Sequence, residues 1–322
     1  DLFLMNKKFT SKRFLITGGN GFLGKTLIEK LKKLNCKNIF IATHNKYDLS
    51  LEKDVKKIYK RSKPDIVFHL AAAVGGIGIN KKNPGKFFYE NSMINLNVIH
   101  QAYINKVEKI ISTGSVSSYP SNSPLPLKES NLWNGYPDEI NSSYGIAKRI
   151  IHTHSLSYYK QYDFKSILLL LTNLYGPKDN FKPDSSHVIA ALIKKFYDGK
   201  NKKKKFVDVW GSGKATRDFC YVEDIADGLI LTAKNYNKIE PLNLGSGKEI
   251  SIRKIAKIIK SIIGFKGKIK WLKNKPSGPN RRFLNISKAK REINFNVKTS
   301  IKDGLTKTIN WYVENNFKLK SN

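Results

Sequence analysis

Apolar runs of four to six residues recur along the first half of the chain, separated by stretches with helical spacing. Arg13-Phe-Leu-Ile-Thr17 enters a glycine-rich turn, and residues 25–34 then read as a helix. Asn38 to Ala42 is a second run, after which Val55, Ile58 and Tyr59 fall on one helical face. Asp65-Ile-Val-Phe-His-Leu70, Lys109-Ile-Ile-Ser112 and Ser166 to Leu171 give three further strands. Strands apolar on both faces, alternating with helices, predict a parallel sheet covered on both sides. That is a doubly wound α/β fold.

Beyond Tyr175-Gly-Pro177 the alternation weakens. A loop from Asp179 to Ser186 leads into an amphipathic helix from His187 to about Tyr197. Ser251 is placed to cap a helix ending at Ile263. Ser300 is placed to cap another through Asn315, with Leu305, Ile309 and Tyr312 on one side. The expected organisation is a dinucleotide-binding Rossmann domain over residues 1–174, with 215–245 returning to it. A smaller α/β substrate domain lies mainly within 175–322.

With 322 residues the chain can bury a full core. The longest apolar run, Ile167-Leu-Leu-Leu-Leu171, is far short of the roughly 20 residues that span a bilayer. Asp1-Leu-Phe-Leu-Met5 is too brief for a signal peptide. Two cysteines, Cys36 and Cys220, suggest neither a disulfide framework nor a metal site. A cytoplasmic protein with no membrane partner and no bound metal is expected. The net charge of +34 invites a nucleic-acid partner. Lysine is spread along the whole chain, however, and the one dense run, Lys202-Lys-Lys-Lys205, reads as a solvated loop. So lysine- and asparagine-rich a chain reflects a biased genome, and the charge additionally suits an anionic small-molecule substrate.

Three motifs carry chemistry. In Thr17-Gly-Gly-Asn-Gly-Phe-Leu-Gly24, Gly18, Gly21 and Gly24 sit between the first strand and first helix, where glycine lets a backbone approach a pyrophosphate. The second strand ends in Ala42-Thr-His-Asn-Lys46, with no carboxylate before Asp48. Readers of NAD usually place an acid there; His44 and Lys46 instead suit a 2′-phosphate, so NADP is the expected cofactor. Tyr144 and Lys148, in Y-x-x-x-K spacing, share a helical face. An ammonium so placed is expected to lower the phenol pKa and ready it as a proton donor. Thr113-Gly-Ser-Val-Ser-Ser-Tyr-Pro120 supplies hydroxyls between the two.

These motifs, in this order, resemble the extended short-chain dehydrogenase/reductases, and within them the GDP-L-fucose synthase family. The narrower resemblance rests on His69-Leu-Ala-Ala-Ala-Val-Gly-Gly-Ile77, Thr172-Asn-Leu-Tyr-Gly-Pro-Lys-Asp-Asn-Phe181, Ser186-His-Val-Ile189, Val209-Trp-Gly-Ser-Gly213 and Arg217-Asp-Phe219. It extends from about Arg13 to Phe317. It implies NADPH-dependent reduction of the carbon-4 ketone of a GDP-4-keto sugar by Ser115, Tyr144 and Lys148. The cofactor is expected to meet Gly18, Gly21, Phe22, Leu23, Gly24, His44, Lys46, Ala71, Ala72, Lys148, Asn173 and His187. The substrate is expected to meet Asn173, Lys195 (or Lys194), Trp210, Arg217 and Arg282. Helices near residues 87–105 and 143–161 imply a homodimer.

The same family also inverts the carbons flanking the ketone with a cysteine and a histidine. His187 matches the histidine, but Ser117 stands in the cysteine position. A hydroxyl is a far weaker acid than a thiol, whose pKa is near 8.5, so 3,5-epimerisation is expected to be weak. Two other readings remain open: a 4-epimerase of the extended family that recycles bound NAD, and a non-catalytic nucleotide- or RNA-binding module.

Overall fold

In the computed structural model, which describes residues 7–73, 82–183, 185–274 and 279–320, the first half of the chain builds most of one sheet. It runs through β1 (Phe14–Thr17), α1 (Phe22–Lys33), β2 (Ile39–Ala42), α2 (Glu52–Ser62) and β3 (Ile66–His69). α3 (Pro84–Ile104), β4 (Lys109–Ser115), α4 (Ser142–Tyr162) and β5 (Ser166–Leu171) follow. β1, β3 and β5 are buried at every position, as apolar runs covered on both faces require.

The chain then passes through β6 (Asn173–Tyr175), α5 (Val188–Asn201), β7 (Phe206–Trp210), β8 (Thr216–Arg217) and β9 (Phe219–Tyr221). α6 (Val222–Asn235) leads it back to β10 (Leu242–Leu244), which pairs parallel with β5. The completed sheet has six parallel strands in the order β10-β5-β4-β3-β1-β2. α1 packs against α6, and α3 against α4. Because β1 lies between β2 and β3, successive crossovers leave it in opposite directions. The crevice at the carboxyl ends of β1 and β3 is therefore the switch point where such sheets bind ligands.

The remaining elements are β11 (Ile250–Ser251), α7 (Ile252–Ile263), β12 (Lys268–Leu272), β13 (Arg281–Arg282), α8 (Ser287–Ile293) and α9 (Ile301–Lys320). β8 is paired on either side by β11 and β13, and β7 pairs with β12. A second hydrophobic core, including Ile189, Phe196, Val209, Ile259 and Leu305, joins α5, α7 and α9 to β7. Ser251 caps α7 as expected, its Oγ accepting the N–H of Lys254 at 3.2 Å. α9 runs past Asn315 to Lys320, since neither glycine nor proline intervenes to stop it.

Met5, Val74 to Ile77 of the β3 motif, Asp184 and Lys275 to Gly278 lie outside the described residues. Among the described residues, no helix is long and apolar enough to cross a membrane, and no cluster of His, Cys, Asp and Glu is suited to hold a metal.

Candidate active site

Glycine allows the turn after β1 to close onto its own helix. Gly18 has a φ of +70°, and a Cβ there would lie 2.8 Å from the backbone nitrogen of Ala71. At Gly24 a Cβ would stand 2.3 Å from the Gly18 carbonyl oxygen, so α1 begins flush against the turn. Gly21 is the N-cap of α1, with no side chain capping the helix and no acid in its first turn. The N-terminal N–H groups around Phe22 and Leu23 therefore present the positive end of the helix to an anion. Thr17 Oγ1 accepts the Ala71 N–H at 3.3 Å, holding Ala71 and Ala72 beside the turn. This cradle fits the pyrophosphate of a dinucleotide.

His44 and Lys46 are exposed in the turn after β2. Asp48, the nearest carboxylate, accepts the hydroxyl and N–H of Ser50 at 2.7 and 2.9 Å. Those bonds hold its pKa below the usual carboxylate value, so this acid is committed to its own turn. His44 and Lys46, rather than a carboxylate, are therefore the exposed polar groups of this turn.

Ser115 stands at the carboxyl end of β4, and the first turns of α4, which carry Tyr144, pack beside it. Ser115 Oγ accepts the N–H of Ser117 at 3.1 Å and caps one 3-10 turn, Val116–Ser118. α4 packs across this turn and across β4. Tyr144 and Lys148 lie one helical turn apart on α4, with the Lys148 ammonium 5.8 Å from the centre of the Tyr144 ring. Burial lowers the Lys148 pKa to about 8 and raises that of Tyr144 to about 12. The expected lowering of the phenol by the ammonium is thus outweighed by desolvation. Tyr144 is thereby a weaker acid than a free phenol, though it keeps its proton at neutral pH and can still give it to the stronger base that a reduced ketone oxygen becomes.

A buried polar chain connects this helix to the dinucleotide turn. Thr17 Oγ1 and His69 Nδ1 are 2.7 Å apart, His69 Nε2 and Asn95 Oδ1 are 3.0 Å apart, and Asn95 Nδ2 donates to the Ala147 carbonyl at 2.9 Å. Burial first, then the charge of Lys148, lowers the His69 pKa to about 3, so the ring is neutral. With His69 Nε2 carrying the hydrogen, every bond in the chain has one donor and one acceptor. The residue immediately after Ala147 is Lys148, so the network fixes the backbone at the ammonium.

At the other side of the cleft, Arg217 and Arg282 are register partners on β8 and β13. Burial lowers both guanidinium pKa values, and Arg282 lowers that of Arg217 further. Two neighbouring guanidinium groups have the charge and the planar donors that suit a phosphate-bearing ligand. Asn173 Nδ2 donates to the Asp218 carbonyl at 3.0 Å, which places it beside Arg217. Lys195 donates to the Asp208 carbonyl at 3.0 Å and sits 5.9 Å from the ring centre of the exposed Trp210. Lys194 is instead paired with Asp198, and Arg281 with Glu249. His187 immediately precedes α5. It is open to water, yet enough protein surrounds it to lower its pKa by desolvation, the combination expected of a residue in an open cleft.

Cys36 and Cys220 are both buried and free, 3% and 1% exposed, and burial raises both thiol pKa values. Four residues escape sequence reasoning. A Cβ on Gly145 would lie 2.7 Å from the Ser117 carbonyl oxygen, so this glycine sets how closely α4 approaches the turn. His69, Arg149 and Asp218 act through long-range bonds that no local spacing signals.

Residues 14–245 match the family described as "NAD dependent epimerase/dehydratase family". A protein of Arabidopsis thaliana named "Putative GDP-L-fucose synthase 2" is 37% identical over 305 residues, covering 95% of this chain and 93% of its own. A solved GDP-6-OMe-4-keto-L-xylo-heptose reductase of Campylobacter jejuni superposes with a TM-score of 0.89 at 32% identity, covering 95% of this chain and 98% of that one. A GDP-L-fucose synthetase of Naegleria fowleri bound to NADP has a TM-score of 0.89 at 30% identity, with 95% and 94% covered.

Proposed function

Because the chain belongs to the NAD dependent epimerase/dehydratase family, we propose that it is an NADPH-dependent reductase of the carbon-4 ketone of a GDP-4-keto sugar, without efficient epimerisation at carbons 3 and 5. One observation carries the second half of this reading. Both thiols of the chain are packed in the larger hydrophobic core, and the turn against which α4 packs carries hydroxyls rather than a thiol at Ser115 and Ser117. The names of the Arabidopsis, Campylobacter and Naegleria proteins support a GDP-sugar substrate and NADP.

When bound, NADPH supplies the hydride. The protein's own residues direct where the resulting charge goes. Tyr144 donates the proton that the ketone oxygen takes up as carbon 4 is reduced. Ser115 uses a lone pair for the Ser117 N–H and keeps its hydrogen for the same oxygen, which it stabilises as negative charge develops. Lys148 holds the nicotinamide ribose, and the cradle of Gly18, Gly21 and Gly24 holds the pyrophosphate. Arg217, aided by Arg282, clamps the substrate diphosphate, with Asn173 beside it and Lys195 and Trp210 toward the nucleotide end. Burial lowers the pKa of His187, and both thiols of the chain are buried, so it serves to hold cofactor or sugar rather than to pair with a cysteine.

The test is NADPH oxidation against a panel of GDP-4-keto sugars in deuterated water, with product stereochemistry assigned. The expected result is turnover with no deuterium at carbons 3 and 5, and Ser117→Cys is expected to introduce it. Deuterium at those carbons in the wild-type product removes the reductase-only reading. Tightly co-purifying NAD with no NADPH consumption favours a cofactor-recycling 4-epimerase instead.

α3 and α4 leave an apolar groove of about 340 Å³ on their outer face, lined by Leu96, Trp133, Ile146 and Ile150 among others. A second copy of the chain is its proposed occupant, giving a homodimer. Light scattering is expected to report twice the mass of one chain, and a monomer at micromolar concentration excludes this assignment. The two unpaired cysteines suit a reducing, cytoplasmic setting.

A further inference from the structure

The turn that carries Ser115 and Ser117 is shaped largely from outside itself. Its one internal side-chain bond is the Ser117 N–H to Ser115 Oγ. Of its four successive carbonyls, that of Val116 also accepts the Tyr119 N–H at 3.3 Å within the turn, and each of the four meets another element. Arg282 donates to the Val116 and Tyr119 carbonyls, each at 3.4 Å. Arg149 Nε donates to the Ser118 carbonyl at 2.7 Å. The Ser117 carbonyl faces Gly145, at the 2.7 Å approach that leaves no room for a Cβ.

Both arginines are buried, Arg149 at 3% and Arg282 at 8% exposure. Arg149 also donates to the Gly135 carbonyl at 2.8 Å and lies 5.3 Å from the centre of the Trp133 ring. Its remaining nitrogen is buried without a partner among the described residues. Burying a guanidinium with one unpaired nitrogen is costly, and an apolar side chain packs the same space more cheaply. Arg149 follows Lys148 directly on α4, so it transmits the position of the catalytic helix to the turn. Arg282 does the same from the diphosphate strand.

We propose that Arg149 and Arg282 are positioning residues for the reduction, clamping the turn between them so that Ser115 stays aligned with Tyr144 at the ketone oxygen. Displacing a reacting group by about 1 Å can cost about 100-fold in rate. The Arg149 half of the clamp therefore acts on hydride transfer rather than on substrate affinity, while Arg282 bears on both.

This rests on the reductase reading. The test compares Arg149→Lys, Arg149→Met and Arg282→Lys with wild type, using a GDP-4-keto sugar that the wild type reduces and 4-deuterated NADPH. For Arg149→Met, kcat is expected to fall about 10- to 100-fold with KM changed less than threefold, and the primary isotope effect on kcat to rise. Arg149→Lys, which retains one donor, is expected to recover part of the loss. Arg282→Lys is expected to lower kcat as well. Should Arg149→Met not fold, the two lysine variants carry the test. Unchanged kcat per folded molecule overturns the proposal, as does a rise in KM alone, which is the mark of a residue that only holds the diphosphate. Amide exchange at Ser117 provides a readout independent of turnover, and is expected to accelerate in each variant. If the wild type reduces no keto sugar but exchange still accelerates, the reductase reading fails while the clamp stands. Unchanged exchange removes the clamp.

Discussion

Tyr144→Phe is expected to lower NADPH-dependent ketone reduction by about 10²- to 10⁴-fold, the usual contribution of a positioned acid. The substitution removes one oxygen and leaves the ring on α4. NADPH affinity, measured by fluorescence titration, is expected to stay within threefold of wild type. The effect follows from the state of the phenol. Burial pushes its pKa to about 12, so the phenol carries its proton throughout the neutral range. Lys148 supplies the companion pH dependence. Its pKa is lowered to about 8, so the ammonium is present below that pH and lost above it. Wild-type kcat/KM is therefore expected to fall as pH rises through about 8, and Lys148→Arg to move that limb upward. Loss of less than threefold in Tyr144→Phe, or a flat profile to pH 10, removes Tyr144 or Lys148 respectively from these roles.

Asp218→Ala is expected to be the most damaging substitution for stability. The carboxylate is wholly buried and accepts the N–H and hydroxyl of Ser246 at 2.9 and 2.6 Å, the Gly247 N–H at 3.2 Å and the Leu284 N–H at 3.3 Å. Burial raises its pKa on balance, and those bonds offset part of the rise. Its backbone carbonyl meanwhile receives the Thr172 hydroxyl and the Asn173 amide. Removing the carboxylate leaves several buried donors unpaired, at about 1–3 kcal/mol each before relaxation, so a net loss of roughly 3–5 kcal/mol is expected. In a chain of this size that corresponds to a melting temperature lower by about 10 °C. Calorimetry decides the matter: a shift under about 2 °C means the 245–247 turn and residue 284 find other partners.

The strands were legible because each is apolar on both faces, and the glycine turn was legible because backbone closeness at Gly18 and Gly24 admits no other residue. Ser251 signalled its helix for a similarly local reason. The phenol's pKa was not legible, because spacing locates the ammonium but not the burial that outweighs it. Arg149 and Asp218 were hidden for another reason. Their partners lie 31 residues away at Ser118 and 28 residues away at Ser246, and no periodicity joins such positions. His69 looked like one polar residue in an apolar run until Thr17 and Asn95 appeared on either side of its ring. Spacing could find what a short segment does alone, not what two distant segments do together.

β10 closes the sheet against β5 only after the chain has laid down β6 to β9 and α5 and α6. During synthesis, the cofactor layer therefore stays one strand short until residue 244 has left the ribosome. In that interval β5 presents an open edge, the kind of surface that recruits foreign strands. A gene cut near codon 174 would yield a fragment with that edge permanently exposed. Exchanging substrate halves between relatives by a single crossover would meet the same obstacle, since a donor's second half must bring a strand that fits the recipient's sheet.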